Sequence, residues 1–447
     1  MQPYFRPYEP DQQYLLPPSL RDWLPDGHLA YFISDTVDQL DLSGILSRYR
    51  SFGQGNVAYH PALMLKLLIY GYATGVFSSR RIAGACETDI AFRILAAGDA
   101  PSHRTLARFR KAHLDAFQSL FVQVVQIAQA SGLVKLGILA IDGSKVRANA
   151  SKHKAMSYER MQKEEEKLRR EIADLTARAQ GQDEDEDVEY GPDFRGDELP
   201  EELERRQSRL AVIQAAKKRL EERKREAEAE KIEAERCAEA KRKREGKPKR
   251  GRQRKRPLGQ PEPKDQESFT DPDSRIMKTK NGFDQCYNAQ IAVDGEGRII
   301  VATEVTQCSA DTGALLPVLD AARENTHEDP GTVLADCGYK SEGNFIGVEE
   351  RGLTACIPLG REGKAGLKGI DGDLVATRRM HRRMGGTRAR KKYKARKHIA
   401  EPPFGWIKNV LGFRQFSLRG HEAVGGEWNL VCMAMNLRRM GTRLAWR

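Results

Sequence analysis

The sequence predicts a mixed α/β protein that is interrupted by a long helical insertion. Two short apolar runs end at Asp142 and Asp336, as buried strands bounded by turns do. Apolar residues recur at helical spacing through much of residues 1–133. Residues 153–268 are rich in Glu, Lys, Arg and Ala, the composition of long helices, and they separate the two strand-forming stretches.

Residues 1–133 are predicted to form a helical, helix-turn-helix-like DNA-binding domain. A first helix is expected over residues 28–49. Pro61 begins another helix at a position where its missing N–H costs little, and Gly75 breaks it. A later helix begins near Ser102 and exposes arginines. Short helices with an arginine face are typical of helix-turn-helix units, but an ordinary helical bundle with a solvated basic face has the same pattern.

The first part of the predicted catalytic core is residues 134–152. An amphipathic helix over residues 114–133 leads into this strand, which ends in an apolar run at Asp142. Lys145 follows on the same strand or turn, where it either contacts phosphate or is solvated.

The insertion, residues 153–268, is predicted to be an antiparallel, coiled-coil-like helical hairpin with a basic linker. The acidic run 183–187 between its helices is expected to be a solvated loop. Residues 241–256 hold eleven Lys/Arg against one Glu, and they either bind nucleic-acid backbone or are simply solvated. The helices are expected over 157–180 and 198–246, with apolar residues at broken heptad spacing at Met161, Leu168, Leu175, Leu203, Leu210, Ile213 and Leu220.

Residues 269–447 are predicted to complete a mixed sheet with flanking helices. A β-hairpin is expected over 285–294 and 299–305, with a turn at Gly295–Arg298. The order strand, insertion, hairpin, helix, strand, strand, acidic helix suits an RNase H-like nuclease core. Further elements are expected as a helix over 311–324, strands near 332–336 and 353–359, a helix at Glu401 and a final helix over 428–440.

Three acidic residues suggest metal-dependent chemistry. Asp142 and Asp336 end strands, and Glu401 opens a helix after the basic stretch 376–400. Carboxylates are the hard oxygen ligands that Mg²⁺ and Mn²⁺ prefer. Two such ions ~3.5–4 Å apart clamp the attacking and leaving oxygens of a phosphoryl displacement. An aspartate before glycine is also a common turn former, so the hypothesis depends on the combination of all three.

Charge and cysteine content indicate the kind of partner that the protein binds and the compartment in which it acts. The formal net charge is +12 and the pI is near 9.3, which suits a polyanionic partner. Seven cysteines form no CxxC pair, a pattern that predicts reduced thiols in a cytosolic protein. We expect a soluble, intracellular protein, since the sequence shows neither a signal peptide nor an apolar run of membrane-spanning length.

These motifs together resemble the DDE transposases of bacterial insertion sequences, in the IS4/IS5-like superfamily and its branch with a long helical insertion between the first two Asp residues. Residues 142–145 (DGSK) are similar to the first catalytic motif, and residues 335–339 (ADCGY) to the second. Residues 287–290 (YNAQ) are similar to the family's central hairpin. His60-Pro61 and residues 101–105 (PSHRT) resemble its N-terminal domain.

The third family motif is Tyr, Arg, Glu, Lys, and Tyr393, Arg396, Glu401 and Lys408 are similar to it. Four residues separate the Arg from the Glu here, where three is usual, and Lys397 occupies the usual place. Either cation is therefore a candidate for DNA contact. The nearby Trp406 either stacks on an unpaired base or packs in the core.

The resemblance implies an Mg²⁺-dependent (or Mn²⁺-dependent) enzyme with two ions held by Asp142, Asp336 and Glu401. It also implies binding to terminal inverted repeats and target DNA by a homodimer, with no membrane, in the bacterial cytoplasm at the nucleoid. Two alternatives stay open, a non-catalytic DNA-binding protein and an RNase H-like nuclease that cuts without joining. The DNA-contacting residues that it implies are Lys145, Tyr393, Arg396, Lys397 and Lys408.

Overall fold

The computed structural model describes residues 19–49, 57–151, 154–190, 201–233, 235–236, 256–280, 282–360 and 374–444. The N-terminal arm before residue 19 and nearly all of the basic run 241–256 lie outside these residues.

Seven helices lie in the described part of residues 19–133. Two predicted helix boundaries are confirmed: Pro61 is the first residue of α3, and Gly75 ends it with a φ of +83°. Ser102 caps α6 by accepting a hydrogen bond from the N–H of Thr105 at 3.2 Å. The single helix predicted over 28–49 is instead two helices. The bounds are α1 Leu29–Val37, α2 Ser43–Leu46, α3 Pro61–Thr74, α4 Ser79–Thr88, α5 Ile90–Leu95, α6 His103–Ala112 and α7 Ala116–Ala130.

A six-stranded mixed sheet forms the centre of the molecule. Its strand order is β4-β5-β1-β7-β8, and β6 pairs with β5 on the same edge as β4. β1 is antiparallel to β5 and parallel to β7. The predicted hairpin is confirmed as β5 and β6, whereas β4 was not predicted. The strands are β1 Leu139–Arg147, β4 Arg275–Thr279, β5 Gly282–Asp294, β6 Ile300–Thr306, β7 Val333–Leu334 and β8 Ala355–Cys356.

Five α-helices flank this sheet in the described part of the second half. Together with the mixed sheet they are consistent with an RNase H-like core. The helices are α10 Leu315–Thr326, α11 Glu342–Glu350, α12 Val375–Gly385, α13 Thr387–Gly405 and α14 His421–Leu444.

The last helix, α14, joins the N-terminal helices to the sheet. It packs against α1, α3 and α7 on one side and β6 on the other, in one hydrophobic cluster. At the centre, Glu427 is fully buried and accepts a hydrogen bond from the Tyr72 hydroxyl at 2.8 Å. Arg110 donates to the same hydroxyl at 2.7 Å, and its guanidinium lies 3.9 Å from Glu427 Oε1, so the buried charge is paired. The N-terminal helices therefore share a core with the sheet, and their separate DNA-binding role stays a prediction.

The insertion contains a pair of long helices, α8 Tyr158–Tyr190 and α9 Glu201–Ala227, on a small sheet of β2 Ala155–Ser157 and β3 Gln266–Ser268. Glu165 pairs with Lys217, and Glu171 with Arg206, each at 2.9 Å. Partners later in α8 lie earlier in α9, so the helices are antiparallel.

One prediction on the insertion is wrong. The loop expected at residues 183–187 is helical, because α8 continues to Tyr190. The second long helix, expected over 198–246, ends at Ala227, and helical residues follow at 229–233 and 235–236. Residues 237–246 of that prediction lie outside the described residues. The coiled-coil character of the pair stays a prediction.

Across the described ranges, no single helix is both long and apolar enough to cross a membrane. α3 and α4 meet that length and composition only as a pair bent by 99°.

Candidate active site

Asp142 on β1 and Asp336 just after β7 lie side by side. We call this region of the sheet, around the two aspartates, the sheet edge. β1 and β7 are parallel, with Ala140 opposite Leu334, so the two aspartates follow two residues later in the same register. Asp336 begins a short 3₁₀ helix, and its carboxylate accepts a hydrogen bond from the N–H of Gly338 at 2.6 Å. Both carboxylates therefore project from backbone that pairing or capping holds in place.

Helix α13 supplies the third carboxylate and a cation that links it to the strand edge. The Arg396 guanidinium lies 3.4 Å from Asp142 Oδ2 and 3.4 Å from Glu401 Oε1. The Arg396 side chain is only 8% exposed, whereas that of Glu401 is 53% exposed. Two of the three carboxylates thus contact one buried guanidinium, and the third, Asp336, acts on it electrostatically.

The charges at this edge are not balanced. The pKa of Asp142 is raised to about 6, mainly by burial; Arg396 acts to lower it, and Asp336 and Glu401 act to raise it. For Arg396, burial acts to lower the pKa, but Asp142, Tyr393 and Asp336 together outweigh it, so the net shift is upward. One guanidinium faces three carboxylates, so the site lacks positive charge.

Two families of known proteins match parts of this chain. Residues 18–112 match the family described as "Transposase domain (DUF772)", and residues 258–437 match the family described as "Transposase DDE domain". The chain belongs to the DDE transposases. No curated protein and no solved structure matches it significantly. The IS4/IS5-like assignment stays a prediction.

The second family match places two of the predicted catalytic residues in the transposase domain. It begins near the end of the insertion and includes Asp336 and Glu401. Asp142 lies outside both matches, and the sheet register alone brings it to the site. The transposase is thus assigned to DNA transposition by its family, and its individual site residues remain predictions.

DDE transposases generally use divalent metal ions. Among the described residues, no group of three His, Cys, Asp or Glu side chains is close enough to hold a metal ion as it stands. The donor set nevertheless fits one chemically, because carboxylate oxygens suit Mg²⁺ and the site is short of positive charge. Asp142, Asp336 and Glu401 are the residues that would hold it.

The cations predicted to contact DNA occupy different environments. Arg396 is buried among the carboxylates, with its guanidinium 5.9 Å from the centre of the Tyr393 ring, whereas Lys397 is exposed on α13. Lys145 Nζ lies 3.1 Å from Asp311 Oδ1. Lys408 donates to Ser144 Oγ and to the Lys145 carbonyl, both at 2.6 Å. Of these four cations, Arg396 is the one recorded in contact with Asp142 and Glu401.

A π-helical turn, Trp406–Val410, explains the orientation of Lys408. Pro402 and Pro403 have no N–H to donate, so the helical hydrogen-bond ladder is interrupted before this turn. The chain then closes a wider ring, in which Leu411 N–H donates to the Trp406 carbonyl at 2.9 Å. Lys408 lies against β1, and burial lowers its pKa to about 8.

Trp406 occupies an intermediate position between the two predicted environments. It is 37% exposed, and the Arg438 guanidinium lies 5.1 Å from its ring centre.

Sequence reasoning missed a group of polar residues beside the three carboxylates. Asn288 and Gln290 are fully buried on β5, and both donate to Asp311. The Tyr339 hydroxyl donates to the Gln290 side chain. Burial raises the pKa of Tyr339 well above its usual value, and Asp142, Asp311 and Asp336 reinforce that shift. The available signal was two polar residues within an otherwise apolar strand, since buried polar groups need partners.

Proposed function

We propose that the transposase binds the terminal inverted repeats of an insertion sequence and catalyses DNA cleavage and strand transfer. Asp142, Asp336 and Glu401 are the proposed catalytic residues. The observation that carries the proposal is that Asp142 and Glu401 both lie 3.4 Å from Arg396, while Asp336 follows the neighbouring parallel strand in the same register as Asp142.

The proposed chemistry has two steps. A water oxygen attacks a DNA phosphorus, the bond from phosphorus to the 3′ oxygen breaks, and that oxygen takes a proton and leaves as a 3′-hydroxyl. The freed 3′-hydroxyl then attacks a phosphorus of the target DNA, a new phosphodiester forms and the target's own 3′ oxygen leaves. Two divalent ions, when bound by the three carboxylates, activate the attacking oxygen and stabilise the leaving one.

The protein's own residues would bind and orient the DNA strand. Lys397 is exposed, so it can reach phosphate directly from α13. Lys145 and Arg396, placed beside the carboxylates, would neutralise phosphate charge as the strand approaches. Lys408 would act at the same edge by holding the Ser144–Lys145 backbone. Tyr393 would orient the strand from its place beside Arg396.

The remaining parts of the proposal concern partners. The net charge of +12 favours binding to a polyanion, and the N-terminal helices are the proposed reader of the repeats. A homodimer would hold the two ends of the element, and the protein would act in the bacterial cytoplasm at the nucleoid.

The test is cleavage of a labelled DNA fragment that carries the element's end, with Mg²⁺ or with EDTA. We expect metal-dependent cuts at the repeat boundary and joined products with wild type, and neither with Asp336→Ala. Asp320→Ala is a matched control, because Asp320 on α10 pairs with Arg351, the residue that follows α11, and not with the three carboxylates. Cuts without joined products would indicate a nuclease. End binding by the folded protein without any cut would indicate a non-catalytic DNA-binding protein.

A further inference from the structure

We propose that Asp311, a fourth acidic residue at this edge, is a positioning residue that holds Lys145 and couples the turn of Asp336 to strand β1. This inference rests on the proposed function, because positioning has meaning only if the three carboxylates catalyse cleavage.

Asp311 is the acceptor on which three donors converge. Its Oδ1 atom accepts from Lys145 Nζ at 3.1 Å, from Asn288 Nδ2 at 2.7 Å and from Gln290 Nε2 at 3.0 Å. Asn288 and Gln290 are fully buried, so their amides are rigid donors that fix the carboxylate. A carboxylate held in this way restricts an otherwise flexible lysine to one position.

Gln290 extends the connection to both catalytic aspartates. Its side-chain oxygen accepts from the Tyr339 hydroxyl, three residues beyond Asp336. Its amide also lies against β1, where a Cβ on Gly143 would come within 2.2 Å of Gln290 Nε2. The residue after Asp142 must therefore lack a side chain for Gln290 to reach Asp311.

The turns that carry Asp311 and Asp336 are joined directly. Thr312 Oγ1 donates to the Gly338 carbonyl at 3.1 Å, and Asn344 Nδ2 donates to the Thr312 and Tyr339 carbonyls at 2.7 Å each. A Cβ on Gly338 would lie 2.9 Å from Asp336 Oδ1 and 3.1 Å from Asp311 Oδ2. The two carboxylates thus face the same small space, and a shift of one turn moves the other.

Asp311 affects the geometry of the reaction as well as the stability of the fold. Lys145 and Asp142 lie on the same strand, while Asp336 lies on the neighbouring turn. Asp311 contacts Lys145 directly and reaches the Asp336 turn through Gln290 and Tyr339. Misplacement of a reacting group by 1 Å lowers a rate by as much as ~100-fold, so loss of this acceptor should reduce turnover.

The experiment compares Asp311→Asn, Asp311→Ala and the matched control Asp320→Asn in the full-length protein. Each is measured for end binding, thermal unfolding and single-turnover cleavage. We expect cleavage by Asp311→Ala to fall by about 10- to 100-fold, with end-binding affinity within about 3-fold of wild type. Asp311→Asn keeps the shape and should fall less. Asp320→Asn should cleave like wild type.

A double-mutant cycle with Lys145→Met separates positioning from a merely structural role. If Asp311 acts through Lys145, Asp311→Asn should lower cleavage little further once Lys145 has been replaced. Fully additive losses, or wild-type cleavage by the folded Asp311→Asn and Asp311→Ala proteins, would overturn the inference. Absence of metal-dependent cleavage by wild type would instead refute the proposed function, so the two failures are distinguishable.

Discussion

The sheet edge and the helical insertion shift the pKa of a carboxyl group in opposite directions. At the sheet edge, burial raises the pKa of Asp142 to about 6, and one guanidinium does not compensate three carboxylates. In the insertion, burial also acts to raise the pKa of Glu165, but hydrogen bonds from Lys217, Arg169 and Gln214 lower it to about 2.

The contrast shows how a carboxylate is placed for stability and how one is placed for chemistry. Glu165 has two cations and an amide, so its charged form is favoured in the fold. The partners of Asp142 do not offset the effect of burial on its charge. The charged form therefore lowers the stability of the fold and can attract a cation. Functional sites commonly retain such unfavourable charge, because activity needs it.

The largest expected effect is that of Asp142→Asn. Cleavage should fall by about 10³-fold or more, because a catalytic carboxylate is lost. Unfolding free energy of the metal-free protein at pH 7 should rise, by at most about 3 kcal/mol for a shift of this size. Cleavage assays and denaturant unfolding in EDTA measure both. A folded Asp142→Asn protein that is less stable than wild type would contradict the charge imbalance.

Gly143→Ala should have the next largest effect. The new Cβ would lie 2.2 Å from Gln290 Nε2, so the Gln290 side chain must move away from Asp311. We expect a stability loss of about 1–3 kcal/mol from overpacking and a roughly 10- to 100-fold slower cleavage. Gly44→Ala is the control, because nothing lies within 4 Å of its added Cβ. Wild-type cleavage by Gly143→Ala would show that Gln290 does not need its observed position.

Glu165→Gln tests the other side of the comparison. It removes the charge that Lys217 and Arg169 neutralise, and we expect a stability loss of about 1 kcal/mol. Cleavage per folded molecule should be unchanged, since the site contains no residue of the insertion. Denaturant unfolding and single-turnover cleavage check the two expectations. A gain in stability would remove the distinction between the two regions.

The pH dependence of stability should differ in sign between the two groups. The pKa of Asp142 is raised in the fold, so its contribution to stability is present below about pH 4 and is lost as the pH rises through about 6. The pKa of Glu165 is lowered, so its contribution is present above about pH 4.5 and is lost as the pH falls toward 2. Unfolding of wild type, Asp142→Asn and Glu165→Gln across pH 3–7 in EDTA measures each difference. Parallel pH curves for wild type and Asp142→Asn would contradict the raised pKa.

Sequence patterns located the elements that local chemistry specifies. Pro61 and Gly75 bound a helix through backbone properties that belong to the residues themselves. The apolar run before Asp142 and the hairpin of β5 and β6 were visible for a similar reason, since each buried strand is a short apolar run bounded by turn residues. In the acidic run 183–187 the only local signal was composition, and the loop predicted there is wrong. Composition alone is a weak guide, because most of the stability of a helix in a protein comes from packing.

The sequence by itself therefore located several of the helices and strands and indicated which three carboxylates were candidates, although Glu401, expected to open a helix, lies near the end of α13. The tertiary structure alone decided that Arg396 rather than Lys397 lies among them, that a π turn brings Lys408 to β1, and that Asp311 joins the site. These contacts join side chains such as Lys145 and Asp311 that lie far apart in the chain. Their partners depend on strand register and helix rotation, and a shift of one residue would send each side chain to a different neighbour.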